Sequence, residues 1–263
     1  MKRCFAFMFA LLFASLSVAS ACAAGGGDWI GFTLQLSRDG KEIRTEFRRQ
    51  RDSRRTGDHE WSTNFNPPQL IGLDVSSFRG AGTRPLRFAL VRDAGRLDCS
   101  GQGGAGHARG ECRATAAAGF LQMLHSRGIG RPTSDQVFGL IALDARRELV
   151  EAIAAAGYST PSLDDLMALS ALGVNGTYVR GLASVGFRPA TIETLVQFKA
   201  LNITPEYIGG FRRLGYRDIP GDKFVQLKAL GITPEFVRAV GGDTDGQPSI
   251  GDLVHRKLLG RRR

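Results

Sequence analysis

Apolar residues recur every 29 positions through the second half of the chain, and that interval limits the possible folds more than any other feature. Val137, Leu166, Leu195, Phe224 and Leu253 form one series; Leu143, Leu172, Leu201, Leu230 and Leu259 form a second. Val150, Val179, Ile208 and Val237 make a third, and Leu149, Tyr178, Tyr207 and Phe236 a fourth. Gly157, Gly186 and Gly215 keep the same spacing, each trailed by an aromatic residue: Tyr158, Phe187 or Tyr216. A fixed period of this length marks one supersecondary unit copied along the chain. Such a unit cannot bury its apolar side alone and must cover it with its neighbours.

Each unit reads as two short helices. In residues 191–216, Leu195, Phe198 and Leu201 fall at i, i+3 and i+6, one stripe of a helix that Asn202 ends. Thr204 caps a second helix, with Pro205 in its first turn and Glu206 near the positive end of its dipole. Thr233-Pro234-Glu235 repeats the signal, and Asn175 takes the capping place one unit earlier. Tyr207, Ile208, Phe211 and Leu214 form the second stripe, which Gly215 closes in a left-handed turn. Thr133-x-x-Gln136, Ser162-x-x-Asp165 and Ser249-x-x-Asp252 are capping-box patterns that open first helices. A helix of about ten residues is marginal alone in water. The expected arrangement is an α-solenoid-like stack of 29-residue helical hairpins over residues 133–260, with the leucines and aromatics of every series in its core.

Upstream the period changes to two. Ile30, Phe32, Leu34 and Leu36 alternate with Gly31, Thr33, Gln35 and Ser37, as in a half-buried strand. Asp39-Gly40 is a hairpin turn, and Ile43, Thr45 and Phe47 share one face of the next strand. Trp61 to Phe65, Leu86 to Leu90, Arg96 to Cys99 and Arg109 to Ala114 follow as short strands. Residues 24–115 are therefore expected to form a small antiparallel β domain, as a sheet, sandwich or barrel, and the whole chain an α+β fold. Residues 116–132 read as a linker helix and a Gly/Pro break, Gly128-Ile129-Gly130-Arg131-Pro132. Gly101-Gln102-Gly103-Gly104-Ala105-Gly106 satisfies G-x-G-x-x-G. A dinucleotide site needs a helix after that motif, and here another strand-like segment follows, so the glycines read as a hairpin tip.

Lys2 and Arg3 precede an apolar run from Cys4 to Ala19, and Ala21-Cys22-Ala23 is a small-x-small cleavage pattern. This is the layout of a secretory signal peptide over residues 1–23, with cleavage expected after Ala23 and a periplasmic or secreted address. A lipidated Cys22 is the weaker alternative, because Ala19 stands where a lipobox carries a Leu-like residue. Cys99 and Cys112 remain after cleavage, and in an oxidising compartment two such cysteines suggest one disulfide. The formal charge is +10. Arg48, Arg49, Arg51, Arg54 and Arg55 make a candidate patch for an anionic partner, and Arg261-Arg262-Arg263 a basic tail. For an exported chain, lipid headgroups or envelope polymers suit that patch better than nucleic acid. A solvated loop and a frayed tail are the plainer reading.

The segments Asp164-Asp165-Leu166-x-x-Leu169-x-x-Leu172-Gly173-Val174 and Ile203-Thr204-Pro205-Glu206-Tyr207-Ile208 resemble repeats found in bacterial envelope proteins. They are similar to those trailing some membrane metallopeptidases of the antibiotic-sensor type. The resemblance covers most of residues 29–240. It implies a strand-rich part ahead of the repeats, with a turn that is Arg92-Asp93-Ala94-Gly95 here, and it carries no assigned activity. The chain departs from the peptidases in having no H-E-x-x-H and no multispan region, so no catalytic residue carries over.

Other chemistry is sparse. His59, His107, His125 and His255 lie far apart, without helix-spaced partners for zinc. Asp243-Thr244-Asp245-Gly246 is a fragment of an EF-hand loop that lacks the distal Glu. No catalytic residue, metal or cofactor is expected. The expected role is that of a non-enzymatic interaction or scaffold protein of the envelope. Its partner would be another envelope protein or an anionic envelope polymer, met through helix positions such as Arg180, Arg212, Arg213 and Arg238. Two alternatives stay open: a sensing or stress accessory whose β domain binds an anionic ligand, and nucleic-acid binding should the chain not be exported.

Overall fold

The computed structural model describes residues 29–49, 59–241 and 247–260. Strands β1 (Ile30–Leu36), β2 (Ile43–Arg49) and β3 (His59–Phe65) form one meander. A 3-10 turn (Pro67–Gln69) and the short helix α1 (Val75–Arg79) lead to a second, made of β4 (Arg84–Arg92), β5 (Gly95–Gly104) and β6 (His107–Ala116). β1 pairs with β6, so the six strands form one antiparallel sheet in the order β3-β2-β1-β6-β5-β4. Of the three β architectures open to the sequence, this is the plain sheet. The glycine-rich stretch is a hairpin tip only at its end: Gly101 to Gly104 belong to β5 and pair with β6, and the chain turns at Ala105-Gly106, with φ of 52° and 77°.

Strand alternation gives the sheet two unlike faces. On the inner face one row across the strands is Trp61, Phe47, Phe32, Gly110, Gly101 and Leu86. The next is Arg49, Ile30, Cys112, Cys99 and Phe88. Phe32 and Phe88 meet edge to face at 5.0 Å between ring centroids. That packing needs a glycine beneath it, because a Cβ on Gly110 would lie 2.8 Å from Phe32 Cε1 and 2.2 Å from the Ser100 carbonyl oxygen. Cys99 and Cys112 face each other across β5 and β6 with their sulfurs 1.97 Å apart, which is disulfide distance.

Among the described residues ten helices follow the sheet. They are α2 (Ala118–Ser126), α3 (Ser134–Ala142), α4 (Arg147–Ala155), α5 (Leu163–Ala171), α6 (Gly176–Ser184), α7 (Ile192–Ala200), α8 (Pro205–Arg213), α9 (Gly221–Ala229), α10 (Pro234–Gly241) and α11 (Ile250–Gly260). The odd-numbered helices from α3 start 29 residues apart, and so do the even-numbered ones from α2. Contacts run within each series: α3 to α5 to α7 to α9, and α4 to α6 to α8 to α10. The helix starts are capped as their sequences dictate. Thr133 and Ser162 complete capping boxes, and Asn175, Thr204 and Thr233 accept the N–H three residues on. After α3, α5, α7 and α9 the backbone turns left-handed at Asp144, Gly173, Asn202 and Gly231, with φ between 54° and 69°. Asp and Asn are the non-glycine residues that tolerate this region best.

The expected linker helix α2 keeps the register of the even series. Phe120 is buried as Leu149 is, and Gly128 has φ of 73°, as Gly157 does. Leu166, Leu195, Phe224 and Leu253 are all buried, as are Val150, Val179, Ile208 and Val237. The second leucine series is different and corrects the expectation of a uniform core. Leu172, Leu201 and Leu259 are exposed, and Leu143 and Leu230 are half-buried. At 3.6 residues per turn, a residue six after Leu195 has rotated about 120° off the buried stripe.

The sheet and the helices share one continuous core. α3 lies on the inner face against β5 and β6, and Phe138 packs edge to face on Trp61 at 4.7 Å and on Phe47 at 6.0 Å. A fully buried phenylalanine such as Phe138 contributes roughly 2–3 kcal/mol. Polar ties run around it. Arg49 meets Asp135 at 2.7 Å, Arg92 meets Asp144 at 3.0 Å, and the Asp93 carboxylate accepts the Arg147 N–H at 2.9 Å. The Arg92-Asp93-Ala94-Gly95 turn is thus a docking point for the start of α4.

Candidate functional site

The helical part carries a repeated surface structure. Lys199, Lys228 and Lys257 occupy the last turns of α7, α9 and α11. Each ammonium lies over an aromatic ring from the even series: Tyr178 at 4.8 Å, Tyr207 at 4.7 Å and Phe236 at 4.7 Å. The two tyrosine hydroxyls donate to carbonyl oxygens one unit on, Tyr178 to Ile203 at 2.6 Å and Tyr207 to Ile232 at 2.7 Å. Burial pushes the phenols of Tyr178 and Tyr207 up, and that of Tyr158 to about 12. The aromatic residues therefore tie successive units together, and they hold the lysines in fixed positions by cation–π attraction. Just beyond each lysine comes the exposed or half-buried leucine of the second series: Leu201, Leu230 and Leu259. The 29-residue spacing of the lysines is legible in the sequence once the leucine register is known.

The arginines singled out on the helices are mostly engaged within the chain. Arg180 pairs with Glu148 of α4 at 2.5 Å, and Arg238 with Glu235 in its own helix at 3.2 Å. Arg212 reaches across to the Gly186 carbonyl at 2.6 Å, at the end of α6. Arg213 is exposed and lies over Gly209. They do not form one cationic surface. The basic patch divides in the same way. Arg48 is exposed on the outer sheet face beside Glu60 at 3.4 Å. Arg49 is the next residue of the same strand, so it points inward, is 5% exposed and belongs to the core joint with Asp135. It is no part of a solvent-facing patch. Arg51, Arg54 and Arg55 lie outside the described residues, as do residues 1–28 and the tail 261–263.

The outer sheet face is polar and open. A depression of about 650 Å³ is lined by five adjacent strands, with Gly31 and Thr33 from β1, Glu46 and Arg48 from β2, Glu60 from β3, and Ser100, Gln102, Arg109 and Glu111 from β5 and β6. Gly31 has no side chain between Arg48 and Glu111, its cross-strand neighbours, and its backbone forms part of the floor. Glu46 is met by Arg44 at 3.3 Å and by the Thr33 hydroxyl at 3.4 Å. Arg109 and Glu111 make no side-chain hydrogen bond or salt bridge with the described residues.

Among the described residues no helix is long and apolar enough to cross a membrane, and no group of three or more His, Cys, Asp or Glu side chains is placed to hold a metal ion. No protein-family model matches the chain, and no curated protein or solved structure matches it.

Proposed function

We propose that this is an exported, non-enzymatic interaction protein whose helical hairpins stack as a solenoid and present the leucine and lysine row to a partner. The carrying observation is that Leu172, Leu201 and Leu259 all fall on the 29-residue register, with half-buried Leu230 between the last two, yet stay exposed, at 37%, 36% and 52%. Core packing does not account for an apolar residue at those three positions. The neighbouring lysines add positive charge, so an acidic segment with apolar side chains suits the row. Full burial of a leucine is worth about 2 kcal/mol, so covering the exposed part of each contributes roughly 0.5–1 kcal/mol. Only several together give useful affinity, which fits a surface built by repetition.

The shared helix starts and the contacts within each series support the stacked-hairpin reading. The signal-peptide layout and the cysteine pair at disulfide distance support export. The likeness to envelope repeats points to the same compartment. The test is a photo-crosslinking residue placed at Leu201, compared with one at Ser62 on the outer sheet face, in an envelope fraction. The expected adduct forms at position 201 only and is lost when Leu172→Gln and Leu230→Gln are added. A folded protein that gives no adduct at 201, or the same adduct at both positions, refutes the reading.

A further inference from the structure

We propose that the open depression on the outer face of the sheet binds an oligosaccharide bearing a carboxylate, with Trp29 beside it as the stacking platform and Arg109 within it as the carboxylate's partner. The proposal rests on nothing in the helical part. A sugar ring offers an apolar C–H face and a rim of hydroxyl groups, so its site combines a flat aromatic with closely spaced donors and acceptors.

The chain has two tryptophans. Trp61 packs against Phe138 on the inner face. Trp29, the residue before β1, continues the outward alternation of Gly31, Thr33 and Gln35 and is 50% exposed. It makes no ring contact, hydrogen bond or ion pair with the described residues. Its half-exposed indole stands one alternation step from the Gly31 floor, just outside the residues that line the depression. Around that floor Thr33, Ser100 and Gln102 supply hydroxyl and amide groups.

The charges narrow the ligand. Arg44 and Arg48 have carboxylate partners in Glu46 and Glu60. Arg109 and Glu111 have none among the described residues, and they project from the same face of β6 two residues apart, or about 7 Å along the strand. A guanidinium fits a carboxylate through paired hydrogen bonds. The free Glu111 carboxylate accepts from sugar hydroxyls. The three carboxylates in the depression would repel a run of phosphates, which disfavours nucleic acid. Phe32 reaches the lining only through its backbone, since its side chain packs on Phe88 at the inner face, so the depression offers no apolar side chain for insertion into a lipid surface.

The test is isothermal titration of the full mature chain with N-acetylglucosaminyl-N-acetylmuramic acid, which carries one carboxylate, and with neutral N,N′-diacetylchitobiose. Binding of the acidic disaccharide is expected at a dissociation constant of about 0.1–1 mM. Trp29→Ala should weaken it by roughly tenfold or more. Arg109→Gln should weaken it by a similar factor of about ten and reduce it to the level of the neutral disaccharide. Arg238→Gln, on a distant helix, should leave it unchanged. Both site variants alter exposed residues, and an unchanged melting temperature verifies their folding. No binding of the acidic disaccharide to the folded protein overturns the proposal. So does equal affinity for the two disaccharides, or full affinity in either site variant.

Discussion

Two adjacent glycines in α8 set competing effects of one substitution against each other. Replacing a helical glycine with alanine gains about 1 kcal/mol of helix propensity. At Gly209 the new methyl would meet Arg213 Nη1 at 3.3 Å and Val185 Cγ1 at 3.4 Å. The first is the tip of a flexible side chain, and the second is ordinary contact. Gly209→Ala should keep most of the gain, about 0.5–1 kcal/mol. At Gly210 the methyl would lie 2.5 Å from Pro234 Cγ and 3.0 Å from its Cβ. A proline ring cannot turn aside, and Pro234 is the first residue of α10, so α8 and α10 must separate. Overpacking of this kind costs roughly 1–3 kcal/mol. Set against the propensity gain, Gly210→Ala should lose about 1–2 kcal/mol. Urea unfolding at equal m-value would read opposite shifts of the midpoint for neighbouring residues. Against a Pro234→Ala background the alanine at 210 should become favourable. Gly181 meets Pro205 Cγ at 2.9 Å in the unit before, so Gly181→Ala should fall between the two. A Gly210→Ala protein stabilised as much as Gly209→Ala would refute the close approach of α8 and α10.

Burial raises the phenol pKa of all four tyrosines, Tyr158, Tyr178, Tyr207 and Tyr216. A folded-state pKa above the unfolded value near 10 gives stability that is complete below that pH and is lost as pH climbs through the folded value. Tyrosinate absorbance should therefore stay low through pH 10 and rise only as the chain unfolds in stronger alkali; a normal titration centred near pH 10 in the folded protein would contradict the buried ladder. Opening the Cys99–Cys112 pair, by reductant or by Ala at both positions, should cost about 3 kcal/mol by loop entropy for a separation of 13 residues. A wild-type urea midpoint that ignores reductant would show that the two thiols do not bond.

The fold was most legible where one local rule decides the outcome. The period-two segments became strands, Asp39-Gly40 and Ala105-Gly106 became turns, and the Thr, Ser and Asn caps opened the helices. Legibility failed where rotation around an axis mattered. Leu201 repeats as faithfully as Leu195, yet it sits at the cap of α7 and faces water. Arg49 looked like one of a basic run, but strand alternation turns it inward while Arg48 stays out. The outer-face depression was not legible, because Gly31, Arg109 and Glu111 meet only through the pairing of β1 with β6, and no local pattern announces that pairing. Trp29 was visible as a residue, but its exposure was not.

On the proposed stacked-hairpin reading, the register also explains why a sheet precedes the helices. A stacked series needs its first member covered on the side away from its neighbour. Counting 29 residues back from the start of α4 gives Ala118, where α2 begins, so the even series has one member before α4. The same step back from the start of α3 falls at the turn into β6, where the chain is strand and not helix. α3 therefore has no odd helix before it, and the inner face of β5 and β6 covers that side. Phe138 fills the joint against Trp61 and Phe47, while Arg49–Asp135 and Arg92–Asp144 fix its angle at the two ends of α3. If the hairpins stack as proposed, the sheet does for the odd helices what a capping repeat does elsewhere. Because only its inner face is used this way, its polar outer face, with the depression over Gly31, stays open to solvent.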